Sequence, residues 1–276
     1  MKLRTALLLA LLPQVLQAAA GYLTPKDANG DGVIDSAEIQ AAIGATRGVV
    51  FLPPDNTYRI DAPLLIENRH GVTLLGEMTR LPIVGDITAV VITRCNGTGL
   101  RNLAFVGTEA HRQTVVRFES TSATFATNVT FTNVGCAISI GRSIGPRLHQ
   151  IAMAGISGAY GIEIGTPTHK IDAAQLHEIR GEGASPHTDW LLLGPAADGI
   201  ELQTVTLQGG LRGVHVVGPV GPKYVYFSDV QIADTAAEGV LVEAGNDLLV
   251  HATTITRAGT HGFVLRPGYT GGAILT

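Results

Sequence analysis

Val129-Thr-Phe131 and, one period later, Ile151-Ala-Met153 are two copies of the short strand-like motif that decides the fold of this 276-residue chain. Each copy ends on a large apolar residue, and successive copies end 22 to 28 residues apart. The copies are Leu103-Ala-Phe105, Val129-Thr-Phe131, Ile151-Ala-Met153, His177-Glu-Ile179, Val205-Thr-Leu207, Val230-Gln-Ile232 and Thr253-Thr-Ile255.

A second motif follows most copies of the first and keeps step with it, at spacings of 23 to 28 residues. Its copies are Ala137-Ile-Ser-Ile140, Gly161-Ile-Glu-Ile164, Asp189-Trp-Leu-Leu192, Gly213-Val-His-Val216, Gly239-Val-Leu-Val242 and Gly262-Phe-Val-Leu265. Two or three short strands per unit of about 25 residues, with Gly, Asn or Asp between them, are typical of one coil of a parallel β-helix.

Other repeat folds fit the pattern less well. The L-x-x-L-x-L frame of leucine-rich repeats does not recur, and no unit shows the i, i+3, i+4, i+7 apolar spacing of helical repeats. The sequence therefore predicts an all-β fold, a right-handed parallel β-helix, with the handedness following from the crossover rule.

The segment before the repeats predicts a cap. Ser36-Ala-Glu-Ile-Gln-Ala-Ala-Ile43 is expected to form a short helix with Asp35 or Ser36 as its N-cap. Such a helix covers the open end of a solenoid, whose strand edges otherwise pair with other chains. We expect residues 21–47 to form the cap and residues 48–276 the β-helix.

One part of the N-terminal sequence resembles a known protein group. Gly30-Asp-Gly32, Asp35 and Ile39 to Ile43 are followed by Val49-Val-Phe-Leu-Pro-Pro54 and Tyr58-Arg-Ile60. This order resembles the entry module of the pectate-lyase-like superfamily, which includes rhamnogalacturonase/epimerase-type domains, alginate epimerases and phage tailspike-like proteins. The resemblance implies a right-handed parallel β-helix that acts on or binds polysaccharide, and it leaves the reaction open among lyase, hydrolase, epimerase and none.

A calcium-type loop overlaps the cap. Residues 27–38 match the twelve-residue EF-hand pattern, in which oxygen ligands surround one hard cation and a glycine, here Gly32, makes the sharp turn. The alternative is a capping turn without metal, and Pro25 leaves no good entering helix. The expected ligands are Asp27, Asn29, Asp31, the carbonyl of Val33, Asp35 and Glu38.

Polar residues beside the first motif are the candidates for chemistry. The catalytic prediction is Glu178, Arg180, Asp234 and Arg257, chosen from a wider polar set on neighbouring coils that includes Asn133, Glu182, Gln208 and Gln231. Carboxylates transfer protons, and an arginine stabilises an anionic uronate or intermediate. The alternative is a solvated strand face. His215 and the pair His187 and Asp189 are interpreted as structural.

Composition excludes some partners and predicts a location. With a net charge of −4 and no run of Lys or Arg, the chain is not expected to bind nucleic acid. Residues 1–20 have a basic start, an apolar stretch and a small-residue end, which predict a cleaved signal peptide and a secreted or periplasmic protein. No later stretch is apolar for long enough to span a membrane. Cys95 and Cys136 form either one disulfide or two buried thiols.

Two hypotheses for function follow. The first is a secreted polysaccharide-binding β-helix that also modifies a uronate-containing chain and binds calcium at its cap. The second is a non-catalytic structural or adhesive β-helix that calcium stabilises through the same loop. Because residues 271–276 resemble an uncapped strand, we also expect truncation, self-association into a homo-oligomer, or a covering loop elsewhere in the chain.

Overall fold

The computed structural model describes residues 22–108, 111–165, 170–218 and 221–275. The signal peptide predicted at residues 1–20 lies outside them. One helix, α1 (Ser36–Ala45), precedes most of the strands. The strands are β1 (Tyr22–Leu23), β2 (Val49–Leu52), β3 (Leu64–Glu67), β4 (Thr73–Pro82), β5 (Val90–Thr93), β6 (Gly99–Val106), β7 (Thr114–Ser122), β8 (Phe125–Thr132), β9 (Cys136–Ile144), β10 (Arg147–Ala154), β11 (Tyr160–Ile164), β12 (Ile171–Asp172), β13 (Gln175–Ala184), β14 (Asp189–Leu193), β15 (Ala197–Gly209), β16 (Arg212–Val216), β17 (Lys223–Ala233), β18 (Val240–Thr256), β19 (Phe263–Tyr269) and β20 (Ala273–Leu275).

These strands form a right-handed parallel β-helix of about ten turns, which confirms the predicted fold. Each strand pairs in parallel with the equivalent strand one coil later, as in the series β8, β10, β13, β15 and β17. We name three faces from one coil: the first face at residues 175–177, the second at 179–182 and the third at 189–193. Successive coils lie about 4.8 Å apart, so equivalent side chains stack into rows.

The core is built from the apolar rows that the two motifs predict. Val129, Ile151, Ile179 and Val205 occupy one row under the second face, and each is at most 1% exposed. In the next row the rings of Phe105 and Phe131 stack, with centroids 5.6 Å apart. Shared burial between coils is what holds a solenoid together.

Trp190 shifts the register of both motifs in one coil. Ile151 pairs with Ile179 and Met153 with Gly181, so the copy of the first motif is at residues 179–181 rather than at the predicted 177–179. The second motif likewise falls at residues 190–193 rather than 189–192. A Cβ atom at position 181 would lie 2.7 Å from the Trp190 ring, so glycine replaces the expected apolar residue there.

Corners between faces use left-handed backbone, which costs a residue other than glycine about 1–2 kcal/mol. The corner between the first and second faces includes Asn128 and Glu178, with φ of 52° and 55°. The corner after the second face includes Asp234 and Arg257, with φ of 58° and 50°. Three of the four predicted catalytic residues are therefore corner residues, held outward by the turn of the backbone.

The cap forms as the sequence predicts, with Asp35 as the N-cap of α1. The Asp35 side chain accepts hydrogen bonds from the backbone of Ala37 and Glu38, and the Glu38 side chain accepts one from the backbone of Asp35. Ile39 and Ile43 are fully buried against the first coils. β1 pairs with β2, so the solenoid already begins within the segment assigned to the cap.

Both cysteines are free and buried, which selects the thiol alternative for Cys95 and Cys136. Within the described ranges, no helix has the length and apolar character needed to cross a membrane.

Candidate functional site

An open groove lies on the second face and has a volume of about 650 Å³. It extends across the coils of β8, β10, β13 and β15, along the axis of the solenoid. Small side chains form much of its floor, and charged side chains project at one coil. Its lining residues are Thr130, Phe131, Thr132, Ala152, Met153, Ala154, Arg180, Gly181, Glu182, Thr206 and Gln208.

A shallow notch continues this groove around the next corner. The notch shares Ala154, Glu182 and Gln208 with the groove and adds Asp234. Three successive corner glycines complete it, and their lack of side chains leaves the corner open: Gly155, Gly183 and Gly209. The groove and notch together bring Arg180, Glu182 and Asp234 to one continuous surface.

Asp234 is fixed at the end of the notch by two neighbours. Its carboxylate accepts two hydrogen bonds from Arg257, one of them at 2.8 Å from Nη2, and one from the Gln208 amide at 3.0 Å. The hydrogen bond from Arg257 is the main reason that the pKa of Asp234 lies below its ordinary value. The hydrogen bond to Asp234, and then the charge of Asp234, raises the pKa of Arg257 in turn. Asp234 is therefore held ionised.

Arg180 and Glu182 have no ion-pair partner among the described side chains. Both are exposed, and they lie on the same strand, β13, two residues apart, so both project outward from the second face. An unpaired guanidinium and an unpaired carboxylate are thus the charged groups of the groove that remain available to a ligand.

Glu178 lies within β13 at the corner between the first and second faces, and it does not line the groove or the notch. Its carboxylate is 3.3 Å from His149 Nε2. A hydrogen bond from Gln150, followed by one from His149, lowers the pKa of Glu178. Of the four predicted catalytic residues, Arg180 lines the groove and Asp234 lines the notch, where Arg257 donates to it. Glu178 lines neither, although the charge of Arg180 contributes to its lowered pKa.

A second charged cluster lies on the third face, and sequence reasoning did not predict it. Arg212 donates to Asp189 Oδ1 at 3.3 Å and to Glu238 Oε2 at 2.9 Å, which links three successive coils. His215 Nδ1 lies 2.7 Å from Asp189 Oδ2, and its Nε2 lies 3.5 Å from Glu243 Oε1. We call these five residues the third-face network. The outward position of His215 was the sequence signal, but the pairing needed the coil register.

Burial separates the third-face network from the groove. The side chains of Asp189, Arg212, His215 and Glu238 are only 11 to 21% exposed. Burial by itself raises the pKa of Glu238, but a backbone hydrogen bond and the Arg212 hydrogen bond outweigh it, so the pKa lies below its ordinary value. The network lines neither the second-face groove nor the notch, and we interpret it as structural.

The predicted calcium loop is closed by its own hydrogen bonds. Asp27 accepts from the backbone of Gly30 and Gly32, and Glu38 accepts from the backbone of Ala28 and Asn29, so the two ends of the loop meet. Asn29 and Asp31 make similar short-range turns. Over the residues with described positions, no group of three or more His, Cys, Asp or Glu side chains is arranged to hold a metal ion. β1 replaces the entering helix of a complete EF-hand.

Comparisons with solved structures agree with the parallel β-helix fold. The catalytic domain of a GH87 α-1,3-glucanase in complex with nigerose matches with a TM-score of 0.69 and 13% identity, covering 85% of this chain and 45% of that one. A mutant tailspike protein of E. coli bacteriophage HK620 in complex with a pentasaccharide gives 0.55 and 14%, covering 87% and 52%. The endo-xylogalacturonan hydrolase of Aspergillus tubingensis gives 0.51 and 11%, covering 91% and 93%.

The chain thus spans about half the length of the first of these proteins. No protein-family model matches the sequence, and a search of curated proteins gives no match. The resemblance to the pectate-lyase-like superfamily is confirmed for the fold.

Proposed function

We propose that the chain is an exported β-helix protein that binds a uronate-containing polysaccharide in the second-face groove and modifies it there. The observation that carries this proposal is that Arg180 and Glu182, two charged side chains without ion-pair partners among the described residues, lie in an open groove along the solenoid axis. An extended polymer fits an elongated groove, and two proteins of similar fold form complexes with nigerose and with a pentasaccharide.

The three charged groups of the groove have different roles in this proposal. Arg180 binds the uronate carboxylate, because a guanidinium forms two parallel hydrogen bonds with a carboxylate. Glu182 transfers a proton to or from the bound sugar during its modification, because it is the groove carboxylate without a cationic partner. Asp234 is a weaker base, since its lowered pKa opposes protonation, and with Arg257 and Gln208 it forms a rigid end wall.

The test uses the purified chain and a panel of uronate and neutral polysaccharides. Products are followed by short-wavelength ultraviolet absorbance, which detects unsaturated uronates, and by chain-length and stereochemical analysis, which detects hydrolysis and epimerisation. Glu182→Gln should lower kcat about 100-fold or more, as expected for loss of a proton-transfer group. Arg180→Ala should raise KM for uronate chains and leave any binding of neutral chains unchanged.

Matched controls lie away from the groove. Glu77→Gln and Arg147→Ala change exposed residues on other parts of the solenoid and should leave kinetics unchanged. If wild type binds uronate chains but releases no altered product, the non-catalytic alternative is correct. Equal activity of Glu182→Gln and wild type would remove the assigned proton-transfer role.

We also propose that calcium braces the cap through Asp27, Asn29, Asp31, the Val33 carbonyl, Asp35 and Glu38. The support is the complete twelve-residue pattern and the closed loop that Glu38 makes with Ala28 and Asn29. Calcium would supply only cohesion between the loop and α1, and no catalytic step is assigned to it.

Thermal unfolding in calcium and in chelator tests this brace. Calcium at 100 times its dissociation constant should stabilise the wild type by about 2.7 kcal/mol. Glu38→Gln should lose that gain, because glutamine keeps the capping hydrogen bond but not the bidentate charge. Glu77→Gln is the control and should keep it. A wild-type stability that is the same in calcium and in chelator would show that the loop is a metal-free capping turn.

A further inference from the structure

Tyr224 occupies a backbone position that all preceding equivalent corners give to small residues. The corner before the first face stacks coil by coil, and all its members have φ between 49° and 70°. The small members are Gly71, Gly97, Ala123, Gly145, Ala173 and Gly199. At the next two coils the same corner holds Tyr224 and Asp247, with φ of 53° and 50°. A bulky aromatic residue in left-handed backbone is an outlier that packing alone does not favour.

Packing does not explain this strain, because the Tyr224 ring is 62% exposed. The first face also changes character at this coil. One outward row reads Arg147, Gln175 and Glu201 over three coils and then becomes apolar: Tyr226, Leu249 and Ile274. Leu249 and Ile274 are 39% and 60% exposed. An exposed apolar row on a solenoid face marks a binding surface.

These residues enclose a trough of about 330 Å³, lined by Tyr224, Val225, Tyr226, Asp247, Leu248, Leu249, Gly272 and Ile274. This volume lies at the lower end of the ~300–1,000 Å³ typical of small-molecule sites. A stable protein partner would instead need an interface of roughly 1,200 Å² or more. The dimensions therefore favour a ligand the size of one or two rings.

The chemistry of the trough favours a sugar ring. Two tyrosines present flat apolar rings with polar tips, and the exposed carboxylate of Asp247 stands beside them as a hydrogen-bond acceptor. A pyranose has the complementary form, with an apolar C–H face and a rim of hydroxyl donors. We propose that Tyr224, Tyr226 and Asp247 form an accessory carbohydrate-binding site, separate from the groove. There the tyrosine rings stack on the apolar C–H face of a sugar ring of the polysaccharide. The proposal rests on the proposed function for the identity of the polymer.

Tyr224→Gly gives a test in which the variant is expected to fold better than wild type. Glycine is the residue that the same corner uses at four of the six preceding coils, so the substitution removes backbone strain and should raise Tm. It also removes the stacking ring, and the apparent Kd for the polysaccharide that binds wild type should rise about tenfold. Tyr226→Ala should weaken binding similarly. Tyr22→Ala, an exposed tyrosine at the opposite end, is the matched control and should change nothing.

Binding is measured by calorimetry and affinity electrophoresis on the same panel, with Arg180→Ala in parallel. Weaker binding by the tyrosine variants, with unchanged groove kinetics on short oligosaccharides, supports the accessory site. Unchanged binding by Tyr224→Gly and Tyr226→Ala, while Arg180→Ala binds poorly, overturns this site and leaves the groove intact. Absence of wild-type binding to every panel member overturns both proposals. Concentration-dependent dimers in sedimentation that Tyr224→Gly abolishes, with binding unchanged, would assign the surface to a second copy of the chain.

Discussion

The groove end wall and the third-face network contain the same kinds of side chain in opposite surroundings. In the end wall, Asp234 pairs with Arg257, whose side chain is 70% exposed. In the network, Arg212 is 21% exposed and bridges two carboxylates on the coils above and below. Solvent screens the first pair and leaves it a weak contributor to stability, whereas the second loses hydration and depends on its partners.

This contrast shows which charged side chains are available to bind a ligand. A buried network commits its charges to one another, because a buried charge without a partner is costly. An exposed pair costs little to rearrange when a charged substrate arrives. The parallel β-helix therefore offers both kinds of site on one backbone, and the choice of face decides between them.

The largest expected effect comes from breaking the network at its centre. Arg212→Ala leaves Asp189 and Glu238 partly buried without their cation, and we expect a loss of about 3 kcal/mol in the free energy of unfolding. Chemical denaturation at neutral pH measures it. Arg257→Ala is the matched control. If both variants lost similar stability, burial would not be what distinguishes the two regions.

An acid titration of stability tests whether the charge of Glu238 or its packing stabilises the third-face network. The folded pKa of Glu238 lies below its ordinary value, so its pairing stabilises the fold above the unfolded glutamate pKa of about 4.3 and is lost as the pH falls through the lower folded pKa. Glu238→Gln should thus be less stable than wild type at pH 7, and the difference should shrink below about pH 4. Tm measured across this range for both proteins is the readout. A difference that is constant with pH would mean that packing, not charge, is responsible.

The smallest effect on stability is expected at the groove. Arg257→Ala should leave the free energy of unfolding close to that of wild type, because the pair is exposed. It should nevertheless raise the pKa of Asp234 toward the ordinary aspartate value, since Arg257 is the main cause of its lowering. Carboxyl titration by NMR detects that rise. An unmoved Asp234 pKa would show that Gln208 alone fixes this carboxylate.

The fold was predictable from the sequence because each coil repeats the same requirement, an apolar residue at fixed intervals for a shared core. Val129, Ile151 and Val205 belong to one such row, and their regular spacing is visible in the sequence. The cap was predictable for a local reason, since the N-cap bonds of Asp35 and Glu38 lie within one turn of helix. The register around Trp190 was not predictable from the sequence. The Trp190 ring fills the space that an apolar side chain at position 181 would occupy in a regular repeat, so that position is glycine.

The site divides in the same way. The sequence alone placed Arg180, Asp234 and Arg257 among outward polar positions, since alternation along a strand determines which side chains leave the core. Which of these side chains meet depends on the tertiary structure, because residues 22 to 29 positions apart become neighbours through coil stacking, and one residue of register changes every partner. Stacking joined Asp234 to Arg257 and Asp189 to His215, and corner geometry moved Glu178 away from the groove.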